Sequence, residues 1–254
     1  MAVLLHSHTR FFREIFAIPD FFTEPVLCFG FQEVVLKNKK PRYRTPPKPT
    51  TRTGRLVRAI DRRVRNQLGL PAERRTLIWA PTPPSEIPEE FRVSNLVELM
   101  RNRGVKEICV VDHFDPRADL SYDMNQAVPE SEHDRYGTLI DIGCLEHLFD
   151  TRQCMENCLR MVRPGGLYFL HTPVNGYCGH GLHTFNPEAL IGAVLGNGFE
   201  IVYLKFSARD GTPLEEARDA EHSIIWLVAR KTRRLESFEV PQQGRWNDYY
   251  PTPS

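Results

Sequence analysis

The 254-residue chain is expected to fold as an α/β protein with a mostly parallel sheet and helices on both faces. Three observations predict this. From Glu89 onward, short apolar runs alternate with segments of helical periodicity, the pattern that builds strand–helix–strand units. Gly, Pro, Asn and Asp mark the boundaries, as at Pro164-Gly165-Gly166, where such residues favour turns. No apolar run approaches the ~18 residues of a membrane span. The 41% hydrophobic and 26% charged content is that of an ordinary globular chain.

Taken in order, an aromatic-rich helical stretch around Phe11 to Phe22 is followed by "PVLCFGFQEVVL", a buried strand and a turn. "KNKKPRYRTPPKPTTRTGR" has almost nothing to bury and reads as a loop or linker. "RLVRAIDRRVRNQLGL" sets Leu56, Val57, Ile60, Val64 and Leu68 at helical spacing against a basic face. "TLIWAP" is a short extended candidate ahead of the prolines between Pro81 and Pro88. "EEFRVSNLVELMRNRG" reads as a helix ended by Gly104. "VKEICVVD" is a strand and "RADLSYDM" a weaker one. "YGTLIDIG", "GLYFLHTP", "FEIVYLKF" and "SIIWLVAR" are strands, with "RQCMENCLRMV" and "NPEALIGAVLGNG" as helices between them. The last two strands are joined either by an antiparallel return or by a crossover. The chain thus divides into residues 1–36, a helix and a first-strand candidate; 37–88, a basic Pro-rich insertion with one helix; 89–232, the core; and 233–254, a C-terminal tail whose end, "PQQGRWNDYYPTPS", has no core pattern and packs on the surface or frays.

The net charge of +1 hides a segregation. Lys37 to Arg75 holds 14 basic residues against Asp61 and Glu73, so this segment carries +12 and the remainder −11. A basic stripe could meet nucleic acid phosphates, but Tyr43 is its only aromatic. A solvated loop facing the acidic remainder, or a partner subunit in a homodimer, is the favoured reading. The six cysteines form no C-x-x-C pair, and Cys154 and Cys158 lie four apart on a predicted helix without nearby partners. Neither a disulfide nor zinc is expected. The N-terminal apolar run is broken by His and Arg and lacks a small-residue cleavage site. A reduced, cytoplasmic chain is expected.

"TLIDIGCLEHLFD", Thr138 to Asp150, imitates the glycine loop that opens a nucleotide-cofactor domain. That loop needs further glycines, and none follows Gly143 for about twenty residues. A middle strand is the better placement. With "CVVD" ahead of it, "YDMNQAVP" between, and "CLRMVRPGGLYFLHTP" behind, the order resembles the class I S-adenosylmethionine-dependent methyltransferases. More narrowly, "DMNQAVP", "GCLEHLFD", "HTPVNGYCGHGLHTFNPE" and "NGFEI" resemble a bacterial branch associated with biosynthetic clusters. The resemblance covers roughly Lys106 to Val202. It implies a Rossmann-like, mostly parallel seven-stranded sheet, S-adenosylmethionine as cofactor, and a first strand upstream. "PVLCFGFQEV" is favoured for that strand over "TLIWAPTPP", because the branch carries a comparable Gly-x-Gln; the usual Gly-x-Gly-x-Gly is absent.

On that alignment Phe29, Gly30 and Gln32 form the cofactor loop, with Ile142 and Gly143 at the next crevice wall. Asp112 ends a strand where an acid can accept from both ribose hydroxyls; Asp115 and Asp119 are equally eligible neighbours, and a turn cap is the plainer role. Asp123, Met124 and Asn125 would meet the adenine, or simply make a turn. Glu146 and His147 look catalytic in isolation, although the superfamily commonly carries this pair without using it as the base. His147 and His180 are the catalytic candidates, since His can serve as a base near neutral pH. His171, Asn175, Tyr177 and His183 fall on the substrate side. No metal is expected, because no Asp/Glu/His pairing at helical spacing supports one. The expected activity is methyl transfer to a small-molecule acceptor, at oxygen or nitrogen, in a biosynthetic pathway. The alternatives are a catalytically degenerate binding or scaffolding subunit, and a nucleic-acid methyltransferase guided by Lys37 to Arg75.

Overall fold

The computed structural model describes residues 8–34, 42–44, 51–67, 76–78 and 87–244. Strands β1 (Val26–Phe29), β4 (Ile108–Val111), β5 (Tyr136–Ile142), β6 (Val162–Asn175), β7 (Phe199–Ala208), β8 (Pro213–Leu214) and β9 (Ser223–Lys231) make one seven-stranded sheet. Its order is β4-β1-β5-β6-β9-β7-β8. The pairs β4–β1, β1–β5 and β5–β6 are parallel, and β9 inserts antiparallel between β6 and β7. The last long connection is therefore an antiparallel return. The first strand is formed by "PVLCF", between β4 and β5, whereas β3 (Thr76–Ile78) pairs with β2 (Arg42–Arg44) in a separate two-stranded sheet.

Side-chain alternation sends successive residues to opposite faces, and both faces are covered. Leu27, Leu139, Tyr168, Leu170 and Leu227 pack under α4 (Thr151–Met161) and α5 (Pro187–Gly196). Val26, Ile140, Phe169, Trp226 and Val228 pack under α1 (Thr9–Phe16) and α3 (Leu96–Asn102). Burial on both faces explains why β5 is buried at every position rather than alternating. On the α1 side Phe11 stacks on Trp226 at 4.8 Å and Phe12 meets it edge-on at 5.3 Å; each such pair contributes about 0.5–1.5 kcal/mol beyond its burial.

The helices start where side chains replace missing backbone acceptors. Asp150 accepts from the Gln153 amide at 2.9 Å, and Asn186 from that of Glu188 at 2.9 Å with Pro187 following. Asn95 does the same for Glu98 at 2.9 Å. That cap corrects the long helix expected from Glu89: a 3-10 turn over Glu89–Phe91 ends first, and α3 begins only after Asn95. The strand expected in "RADLSYDM" reduces to one parallel bridge from Leu120 to Val111 at the sheet edge, because Asp119 bonds the Val110 amide at 2.8 Å and turns the chain there. After β9 the chain stays against the core, with Leu235 buried and Asn197 binding the backbone of Glu239, and most of "PQQGRWNDYYPTPS" lies outside the described residues. In the basic segment α2 (Arg52–Gln67) forms, but Val57, Ile60 and Val64 stay exposed. Leu68 and most of the Pro-rich stretch lie outside the described residues. All six cysteines are unpaired, and among the described residues no helix is long and apolar enough to cross a membrane.

Candidate active site

A cavity of about 590 Å3 opens at the carboxyl ends of β1, β4 and β5, the end of a parallel sheet where ligands bind. Its volume suits a small ligand, for which sites of ~300–1,000 Å3 are usual. Phe29, Gly30, Gln32, Asp112, Asp123, Met124, Asn125, Gly143 and His147 line it. Ile142 does not, because alternation along β5 turns its side chain into the core on the α1 side.

Two glycines shape the floor. Gly30, just past β1, has φ +64°, and a Cβ there would lie 3.3 Å from Asp112 Oδ2. Gly143, just past β5, has φ +73°, and its Cβ would lie 3.2 Å from Glu146 Oε1. Both positions combine a left-handed backbone with close quarters, which is what glycine permits. The two glycines sit at neighbouring strand ends rather than in one loop. Gln32 also has positive φ; its Nε2 donates to the Phe29 carbonyl, while its Oε1 is buried with no partner among the described residues.

Asp112 uses Oδ1 to accept from the amides of Phe114 (2.8 Å) and Asp115 (3.0 Å), so the turn-cap role is real for one oxygen. Oδ2 faces Gly30. The rival acids are committed elsewhere: Asp115 pairs with Arg117 at 2.5 Å, which holds its carboxyl low, at about 2, and Asp119 bonds the β4 backbone. Asp123 accepts from the backbone and side-chain amides of Asn125 (3.0 and 2.7 Å), and Asn125 accepts from the Asp150 amide at 3.0 Å. These two are turn-makers first, while buried Met124 offers an apolar wall. Phe114, 87% exposed at the rim, is a lining residue the sequence reading passed over; an aromatic two positions after a strand-ending acid was its only signal.

On the far side Glu146 is buried, and its Oε2 accepts from the Thr172 hydroxyl at 2.9 Å. Burial raises the pKa of its carboxyl, opposed first by a hydrogen bond from its own backbone amide and then by that of Thr172. Its Oε1 lies 4.0 Å from His147 Nε2 and 3.7 Å from His180 Nε2. The sequence paired Glu146 with His147 only. His180 joins them because the Glu146 carbonyl accepts from the amides of Leu182 (2.8 Å) and His183 (3.1 Å), folding the loop after β6 back over the turn after β5.

The four remaining substrate-side candidates do not line the cavity. Asn175 ties the loop down through the Ala220 carbonyl at 2.8 Å. His171 packs edge-on against Trp226 at 4.3 Å, and burial, reinforced by His8, pushes its pKa down to about 3. Tyr177, at φ +61°, contacts the ring of His180 at 5.7 Å, and burial pushes its hydroxyl up to about 12. The His171 ring nitrogens, the Tyr177 hydroxyl and His183 Nε2 are buried without partners among the described residues.

No protein-family model matches the chain, and no curated protein sequence matches it. Among solved structures, the Burkholderia thailandensis 1,6-didemethyltoxoflavin-N1-methyltransferase, bound to 1,6-didemethyltoxoflavin and S-adenosylhomocysteine, aligns at 16% identity and TM-score 0.37 over 54% of this chain and 66% of its own. The N-methyltransferase NodS from Bradyrhizobium japonicum, complexed with S-adenosylhomocysteine, aligns at 17% identity and TM-score 0.36 over 50% of this chain and 67% of its own. The cyclase SpnF aligns at 15% identity and TM-score 0.36 over 54% and 60%. The chain thus spans less than two thirds of the length of SpnF and of the toxoflavin enzyme.

Proposed function

We propose that the chain binds S-adenosylmethionine in the cavity beyond β1, β4 and β5 and transfers its methyl group to an oxygen or nitrogen of a small molecule. The observation that carries this reading is the pairing of Gly30 with Asp112. A side-chain-free strand end faces a cavity-lining carboxylate whose Oδ1 is fixed by the turn and whose Oδ2 lies beside Gly30. A carboxylate so placed can accept from ribose hydroxyls, and the buried Oε1 of Gln32, without a partner among the described residues, is a second acceptor for a polar ligand. Gly143 and Met124 supply close backbone approach and an apolar surface, and exposed Phe114 supplies a ring at the mouth.

S-adenosylmethionine supplies an activated methyl group, and the protein's part is to hold donor and acceptor in line and to exclude water. The acceptor would approach from Gly143 towards Glu146, His147 and His180. His147 lines the edge of the donor cavity, and Glu146 and His180 lie behind it, which supports an acceptor-side role for the three. A second reading, a catalytically degenerate binding or scaffolding subunit, is favoured by one observation: Asp123 and Asn125 satisfy each other and leave little for an adenine.

Calorimetry with S-adenosylmethionine and S-adenosylhomocysteine tests the cavity. Asp112→Asn keeps an acceptor for the Phe114 and Asp115 amides but removes the charge. The expected result is binding by the natural chain and a loss of about 1.5–3 kcal/mol in the variant, the worth of a hydrogen bond to a charged group, with unchanged thermal stability. No binding at millimolar ligand would sink the reading. Turnover against acceptor libraries, assayed by release of S-adenosylhomocysteine, separates transfer from binding alone.

A further inference from the structure

We propose that Glu146, His147 and His180 form a binding site for one divalent transition-metal ion, of the zinc, cobalt or manganese class, on the acceptor side of the cavity. The three ligand atoms, Glu146 Oε1 and the two Nε2 nitrogens, all lie within 4.8 Å of one another. Two ligands on a tetrahedral ion with ~2.1 Å bonds stand about 3.4 Å apart. The observed 3.7 and 4.0 Å from Glu146 Oε1 are therefore a few tenths too wide. Rotation of the two imidazoles closes that gap, and their side chains, 49% and 47% exposed, have the room.

The surroundings argue for a built site rather than a chance meeting. Glu146 is 1% exposed, and a carboxylate so buried calls for a cation or full hydrogen bonding. Both imidazoles stand too far from it to hydrogen-bond. Its other oxygen is oriented by the Thr172 hydroxyl at 2.9 Å, the outer-shell bond that typically fixes a metal-ligating carboxylate. The backbone of the same residue holds the His180 loop in place, through Leu182 and His183. Tyr177, at φ +61°, meets the His180 ring edge-on at 5.7 Å.

Two imidazoles and one carboxylate suit borderline transition ions rather than magnesium or calcium, which take oxygen ligands. Three protein ligands leave open positions, as in sites where a metal handles substrate. His147 lines the donor cavity, so those positions face the space between donor and acceptor. An acceptor bearing a hydroxyl or phenol oxygen would complete the coordination and be held for attack; this last role rests on the methyl-transfer reading, whereas the ion site does not.

The test uses the untagged full-length chain, stripped with chelator and titrated with zinc and cobalt chlorides by calorimetry and visible absorption. The expected result is one equivalent bound per chain, with a cobalt spectrum of nitrogen–oxygen ligation at low coordination number. His180→Asn and His147→Asn each weaken binding by about tenfold to hundredfold or more, since outer-shell changes alone cost that much, and magnesium competes poorly. Because both histidines are half exposed, these variants keep the fold, which circular dichroism checks; Glu146→Gln is a third variant. Metal uptake that is unchanged in folded histidine variants, or absent at millimolar ion, overturns the site. Titration of the stripped protein with S-adenosylhomocysteine keeps the two readings apart. Ligand binding without metal uptake overturns the site alone, and metal uptake without ligand binding upholds the site while removing the cofactor reading.

Discussion

Oε1 of Glu146 stands 3.7 Å from Nε2 of His180, a residue that enters from a different strand end and is held there by the Glu146 main chain. The other oxygen of the same carboxylate accepts from the fully buried hydroxyl of Thr172. Thr172→Val is nearly isosteric and removes only that donor. It should destabilise the protein by about 1–3 kcal/mol, the penalty for leaving a buried acceptor unsatisfied. Urea denaturation reads the change; an unmoved midpoint would mean that the bond does not hold the carboxylate.

How much of this was legible in the sequence differs by element. The alternation of strands and helices after Glu89, with the Pro-Gly-Gly turn entering β6, is a local pattern, and the sheet follows it. The long helix expected over "EEFRVSNLVELMRNRG" was misjudged because Asn95 is a stronger start signal than the apolar spacing before it. The third of the expected core strands fails for a local reason too, since an Asp side chain takes the ladder position. The cavity floor was legible because strand-end Asp and Gly residues mark a crevice, as Asp112, Gly143 and Gly30 do. His180 was named, but its meeting with Glu146 was not, because two loops from separate strands make it and no spacing rule covers that.

Lys231 provides a test of the fold far from the cavity. Its side chain is fully buried at the end of β9, donating to the Leu159 carbonyl at 2.8 Å, the Val162 carbonyl at 2.6 Å and Asp134 at 2.7 Å. Burial lowers its pKa, and Asp134 opposes the shift. Lys231→Met fills the same space but takes the donor from the Leu159 and Val162 carbonyls, which close α4 and open β6, while Asp134 keeps Arg234 at 2.9 Å. Leaving a buried acceptor unsatisfied costs about 1–3 kcal/mol. The melting temperature should drop accordingly, and Lys231→Arg, unable to reach all three acceptors in one geometry, should not restore it. A methionine variant as stable as the natural chain would show that the cluster adds no net stability.

Asp141 gives the stability its expected pH dependence. It sits inside β5 with no exposure, accepting from the Cys144 amide at 3.0 Å and the Tyr168 hydroxyl at 3.4 Å. Burial, followed by the charge of Glu146, raises its pKa to about 7, against roughly 3.9 in an unfolded chain. Below about pH 4 both states hold the proton. Between there and about pH 7 the unfolded chain has released it while the folded chain keeps it, so stability falls as the pH rises through that window. Above pH 7 the loss is complete, on the order of 4 kcal/mol at 1.36 kcal/mol per unit. Asp141→Asn preserves the acceptor for Cys144 and has no charge to bury. Urea unfolding between pH 5 and pH 8 should therefore show a decline in the natural chain that is absent from the variant, which should be the more stable of the two at pH 8. Parallel pH profiles would mean that Asp141 ionises inside the sheet without cost, and that Cys144 and Tyr168 suffice to solvate its charge.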